Sequence, residues 1–406
     1  MTPAVGTDDN RGWLEKAAYF TFLAFAAVLQ LSIAVSEVLL TIAGILWLVL
    51  VLRERKPLHV PRMFWPLAAY AAATLVAAAL SIDPNVSLPD CKQLLLFFIV
   101  PIAYRLLPGK RALTAVDVII TFGAISAVVG VMQFGILKYD DLGRRPQGLL
   151  GMYMTYSGQL MLVACLAAAR ILFRKTDRAW SLLVMPALVV ALAATFSRNA
   201  WVGACAGIGV LFLIRDFRLL GILPVFAALF IAFAPTRLTD RLWSTFEMRQ
   251  RANESETVAA SVQSTRDRIA MIKSGLHIIR DHPWTGVGPD MVKVVYAGYR
   301  DPSAVKQLNS HLHNVPIQIA AERGVPALLV WLVFMGMLLR DFWRARVTSP
   351  LSSLATGALA SVVALAAAGM FEYNFGDSEV LMLFLLVVTL PYAGAAGRAA
   401  ASAPRA

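Results

Sequence analysis

AAYFTFLAFAAVLQLSIAV, residues 17–35, runs for nineteen positions without a charge. At about 1.5 Å per residue a helix of that length crosses a hydrocarbon core of about 30 Å. No cleavable-looking signal precedes it, so it reads as a retained membrane span. Apolar windows of similar character recur at 66–80, 94–107, 149–173, 219–234 and 351–370. With 58% hydrophobic and only 15% charged residues, the composition excludes an ordinary soluble domain. The predicted fold class is an all-α integral membrane protein with about twelve transmembrane helices and one large loop containing helices. The spans are placed at 17–35, 37–52, 64–81, 92–107, 114–137, 149–173, 180–196, 199–214, 218–234, 314–340, 351–370 and 379–397. Residues 1–234 then hold nine helices, 235–313 the large loop, and 314–406 the last three helices with a tail.

The net charge of +12 raises the possibility of a nucleic-acid partner. In a membrane chain, however, cations first report topology, and no nucleic acid is expected. Segments on one side of this span plan carry twenty Lys and Arg, among them Arg53, Arg55, Lys56, Arg170, Arg174, Lys175, Arg340, Arg344 and Arg346. Short loops opposite carry five: Lys92, Lys138, Arg144, Arg145 and Arg198. The positive-inside rule puts the first set, and both termini, in the cytoplasm. Twelve further cations lie between Arg237 and Arg323, so the large loop is basic although it is extracytoplasmic. An anionic substrate is the simplest reason. Cys91, Cys165 and Cys205 lie far apart and imply neither a disulfide framework nor a metal cluster.

Within the loop, Ser264 or Thr265 is positioned to cap a helix that runs to Arg280 and stops at Asp281-His282-Pro283. On a helical wheel Ile269, Ile272, Leu276 and Ile279 form an apolar stripe, and Arg266, Lys273, His277 and Arg280 a wet one. Arg268 falls beside Ile272 and Ile279, where a charge requires a partner. Farther on, Gly324 and Pro326 interrupt a hydrophobic stretch, which predicts a half-helix entering a cavity with His313 at its mouth.

His313 is suited to general-base chemistry, with Asn314 placed to orient the ring; a helix-capping histidine is the plain alternative. His311 is read as a bystander. Arg198, in a tight turn between two apolar spans, is either an interfacial anchor or a charge held in a cavity. Arg144 and Arg145 read mainly as a solvated turn, and Glu372, Asp377 and Glu379 as surface loop charge. Asp140 and Asp141 are the one acidic doublet on that side. No zinc or nucleotide signature is present. An enzyme facing away from cytosolic nucleotides needs an activated donor, and a lipid-linked pyrophosphate with arginines on its leaving group fits without a metal or other cofactor.

Three spaced motifs carry a resemblance: Ser197-Arg198; Arg268-Ile-Ala-Met-Ile followed by Asp281-His-Pro-Trp-Thr-Gly-Val-Gly288; and His311-Leu-His-Asn314 leading to Glu322-Arg-Gly324. Together they resemble the O-antigen ligase family, a superfamily shared with O-antigen polymerases and some O-linked oligosaccharyltransferases. The resemblance implies a metal-independent glycosyltransferase of GT-C type in the bacterial inner membrane, with its active site facing the periplasm. It would move O-antigen from undecaprenyl pyrophosphate to the lipid A-core, with membrane lipids around it. It further implies catalytic roles for His313 and Arg198, and for Arg268 or Arg266. Beside these, Asn314, Arg144 and Arg145 are the candidate substrate-binding residues. Where many relatives carry Trp four residues after the second arginine, this chain has Ile272, so both arginines stand. A polymerase or protein-directed transferase would use the same donor class. A transporter would show ionisable residues scattered through several spans and internal repeats, neither of which the sequence displays.

Overall fold

The computed structural model describes residues 6–55, 57–139, 144–174, 177–221, 256–348 and 352–402, and every regular element among them is helical. Helices lie at eleven of the twelve expected positions. The ninth expected span, 218–234, falls outside the described residues except for its first turn, as do Asp140 and Asp141. Among the described residues seven helices are long and apolar enough to cross a membrane, and two shorter apolar ones accompany them. This is a multi-pass membrane protein.

Helix α1 (Gly6–Val28) packs against α2 (Ile33–Glu54). Their division lies at 29–32 and not near 36, because Ser32 adopts an extended conformation before α2 and Gln30 is drawn aside to donate to the Ile119 carbonyl at 2.8 Å. After α3 (Phe64–Ala79), one membrane-length stretch is composite: α4 (Pro84–Asp90), a 3-10 segment (Cys91–Phe98) and α5 (Ile99–Leu106). Pro89 lies within α4 and cannot donate to an α-helical ladder. The chain continues as α6 (Lys110–Gly135), α7 (Tyr153–Phe173), α8 (Ala179–Ala194) and α9 (Arg198–Arg215).

Beyond the undescribed segment come α10 (Glu256–Asp281), α11 (Val292–Tyr299), α12 (Val315–Thr348), α13 (Ser352–Gly369) and α14 (Ser378–Ser402). Helices α7, α13 and α14 form the centre and are buried along most of their length. Lipid tails are as apolar as leucine, so helix association in a membrane depends on close fit rather than on hydrophobicity. Gly203 and Gly207, spaced four apart on α9, supply that fit. A Cβ at Gly203 would lie 2.7 Å from the Ala364 carbonyl oxygen of α13, and one at Gly207 2.7 Å from that of Ala360.

Helix α12 is broken at Gly324, whose φ of 80° and ψ of 165° are not helical. The break frees carbonyls at the end of the first half, and the segment 283–288 accepts the task of satisfying them. Val287 N–H donates to Ala321 O and Gly288 N–H to Glu322 O, each at 2.9 Å, while Val325 N–H donates to Pro283 O at 2.8 Å. The other face of this clasp is tied to the bundle, with Ile82 N–H donating to Val287 O at 3.1 Å. Both Gly286 and Gly324 have positive φ, and a Cβ at either would fall within 2.3 Å of backbone across the clasp. Glycine is required at both positions.

Candidate functional site

The half-helix is the anchor of the site. Asn314 caps it, Oδ1 accepting from Ile317 N–H at 3.0 Å, while Nδ2 donates to Met370 O at 3.0 Å and so ties its start to the end of α13. Each end of the amide makes one such bond, so Asn314, expected to orient His313 and meet substrate, holds two helices together. Just before it, His313 takes a left-handed conformation with φ of 50°, a geometry histidine tolerates better than most side chains but still a strained one.

That turn swings the His313 ring onto Glu372, whose Oε1 lies 2.8 Å from His313 Nδ1 and 3.1 Å from His311 Nε2. The two rings are 4.3 Å apart. Three sequence expectations are corrected here. His311 is a partner in the cluster. Glu372 is no surface charge but 6% exposed, and it, not Asn314, orients His313. Burial by itself pushes the Glu372 carboxyl up, but the hydrogen bonds and charges of the two histidines outweigh it and hold the group well below the usual carboxylate range. Its other oxygen faces Arg268, whose guanidinium nitrogen lies 3.7 Å away. The signal that marks Glu372 is its place in a short turn between α13 and α14, where a carboxylate at the end of an apolar helix needs a partner.

Helix α10 brings Arg268 to this point. It begins at Glu256, so Ser264 and Thr265 lie inside the helix instead of capping it. Its buried face is Asp267, Ala270, Met271, Ser274 and Ile278, while Ile269 and Leu276 of the expected stripe are exposed. Polar anchoring overrides the wheel. Asp267 Oδ1 accepts from Val305 N–H at 2.6 Å and Lys306 N–H at 3.2 Å, and Ser274 Oγ accepts from Asp301 N–H at 3.0 Å. Gly275 then permits close approach to Ile317 and Leu312. The resulting roll leaves Arg266 exposed and Arg268 half-buried.

Arg198 comes from the start of α9, following Phe196 with its φ of 55°. It shares with Arg145, Arg268, Lys306 and His313 a cavity of about 320 Å³. Arg268 and Arg145 both act electrostatically on Arg198, and the Arg145 guanidinium stacks 4.2 Å over the Tyr153 ring. Arg144 stacks on Tyr139, is exposed, and does not line this cavity. Among the described residues the single acid in the wall is Asp267, which already accepts two backbone N–H groups. The cavity therefore has the charge and the planar donors to hold a multiply charged oxyanion.

A larger groove of about 850 Å³ reaches His311 from another side, with Trp47, Phe98 and Ile102 in its apolar wall and Glu37, Asp90 and Glu322 among its polar groups. Arg323, buried beside it, bonds to Glu322 at 2.7 Å and approaches Tyr373 at 3.3 Å and Asp90 at 3.7 Å, locking the half-helix to α4 and to the turn that carries Glu372. Among the described residues, one group of potential metal-ligating side chains converges, namely His311, His313 and Glu372.

Residues 183–332 match the family model described as O-antigen ligase, which bears out the resemblance read from the sequence. The matched stretch contains Arg198, Arg268, the clasp and the His311–Asn314 motif, and stops short of Glu372. No curated protein matches the chain.

Proposed function

From a chain that carries the O-antigen ligase module over residues 183–332, we propose a glycosyltransferase of lipopolysaccharide assembly. It transfers O-antigen polysaccharide from undecaprenyl pyrophosphate to the lipid A-core on the periplasmic face of the bacterial inner membrane. The observation that carries this reading is the convergence of Arg145, Arg198 and Arg268 with His313 on one cavity.

Cleavage of the donor's glycosidic bond places growing negative charge on the departing pyrophosphate. Arginines fixed by helix packing stabilise that charge without reorganising, which is where electrostatic catalysis gains most. Glu372 accepts from His313 Nδ1, so the ring's remaining lone pair is on Nε2 and is available to a hydroxyl proton. His313 takes the proton of an acceptor hydroxyl as its oxygen attacks the anomeric carbon. Attack opposite the leaving group inverts that centre. The apolar wall of the larger groove supports a lipid-anchored substrate reaching the histidines from the membrane.

A deletion strain tests the reading. Loss of a ligase leaves polymerised lipid-linked donor unconsumed and lipopolysaccharide without its ladder. Single repeats on the donor lipid would instead identify a polymerase, and normal lipopolysaccharide with an unglycosylated protein would identify a protein-directed transferase.

A further inference from the structure

His311 Nε2, His313 Nδ1 and a Glu372 oxygen lie within 4.8 Å of one another. Two imidazoles and one carboxylate form a donor set suited to zinc and to its neighbours cobalt and nickel. The histidine protons in the metal-free cluster follow from their partners. Ionised Glu372 only accepts, so His311 carries its proton on Nε2 and His313 on Nδ1, while His311 Nδ1 accepts from Ser310 Oγ at 2.9 Å. Glu372 Oε2 is buried and makes no hydrogen bond, which leaves it a lone pair to offer.

We propose that His311, His313 and Glu372 bind a divalent transition metal, zinc above all, and that its binding switches the enzyme off. Coordination uses the lone pairs of His311 Nε2 and His313 Nδ1. Each neutral ring keeps one proton, which moves to His311 Nδ1 and to His313 Nε2; the Ser310 hydroxyl turns to accept the first, and no proton is released overall. The second move is the switch. His313 Nε2, the nitrogen left to accept the substrate's proton, now carries a hydrogen and has no lone pair. The nearby guanidinium of Arg268 opposes a dication, so the metal binds reversibly and follows free metal concentration instead of staying as a resident ion.

Metal binding stands on the geometry alone, and only its inhibitory consequence rests on the base role proposed for His313. Purified full-length protein titrated with Co2+ reports binding through visible ligand-field absorption with no substrate present, and Zn2+ should displace that signal. One equivalent is expected, with affinity weakened about tenfold or more in His311→Ala and in Glu372→Gln, both checked for folding by circular dichroism. In transfer assays Zn2+ should lower wild-type activity by about 10²-fold or more, the scale of losing a general base, and a chelator should restore it. Whatever activity His311→Ala retains should resist the same free zinc. Absence of cobalt bands in the wild type, or unchanged bands in both variants, overturns the site. Bound metal that leaves transfer unchanged or raises it overturns the switch, and a protein inactive with these substrates still reports binding by its spectrum.

Discussion

At His313 the left-handed backbone, the Glu372 hydrogen bond and the wall of the basic cavity meet in one side chain. His313→Ala should cut transfer by about 10²- to 10⁴-fold while binding of lipid-linked donor survives, measured on the same purified preparation. Loss of donor binding with it would make the ring a pyrophosphate ligand instead. Glu372→Gln keeps the shape but not the charge, and should lower kcat by about ten- to a hundredfold with donor affinity little changed, as for groups that orient a functional ring. Retention of wild-type kcat would show that the carboxylate is only structural. Arg268→Ala should abolish transfer and Arg268→Lys should rescue it poorly, because a point charge does not reproduce the planar fork. Arg266→Ala, at an exposed position, should be mild, and equal activity of the two alanine variants would end the leaving-group role of Arg268. Sequence separates these two arginines by the apolar neighbours of Arg268. It hides Glu372, which lies 59 residues from its histidine and becomes visible only when the loop's end and the α13–α14 turn meet.

At the scale of elements, the broken helix was legible because Gly324 and Pro326 interrupt an apolar run, whereas the clasp that completes it was not. Hydrogen bonds from Val287 and Gly288 to Ala321 and Glu322 are backbone to backbone, and no side-chain code announces them. Gly324→Ala would strain a positive φ and push a Cβ to within 2.1 Å of the Trp284 carbonyl oxygen. It should destabilise the protein by about 1–3 kcal/mol, read as a lowered Tm in detergent together with faster proteolysis of the 283–300 region. An unchanged Tm would mean that the clasp contributes nothing to stability. The helical wheel of α10 placed the wet face and Arg268 but misplaced the buried stripe for a related reason, since Asp267 and Ser274 fix the roll through loop backbone that periodicity does not register.

Across the whole molecule, composition and span length sufficed for the bundle, because crossing a hydrocarbon core is a demand on length and polarity that each helix meets by itself. Their mutual packing is written in small residues such as Gly203 and Gly207, whose partners lie far along the chain. The lopsided distribution of cations predicts that reporter fusions within 235–311 give extracytoplasmic signals and fusions at either terminus cytoplasmic ones; the reverse pattern would remove the access argument for a lipid-linked donor. With the anionic load on arginines, transfer should persist in excess chelator, and activity that vanishes and returns with magnesium would show a cation bridging the pyrophosphate. The clasp finally bears on biogenesis. The carbonyls it satisfies belong to residues emerging from the ribosome after it, and those of Ala321 and Glu322 find their partners only once 283–288 is in place against the start of α4. The third membrane-length stretch from the end cannot be read as an independent insertion unit in this respect: the first turns of α12 are completed by a segment delivered ahead of them, so the order of synthesis supplies the template before the helix that needs it.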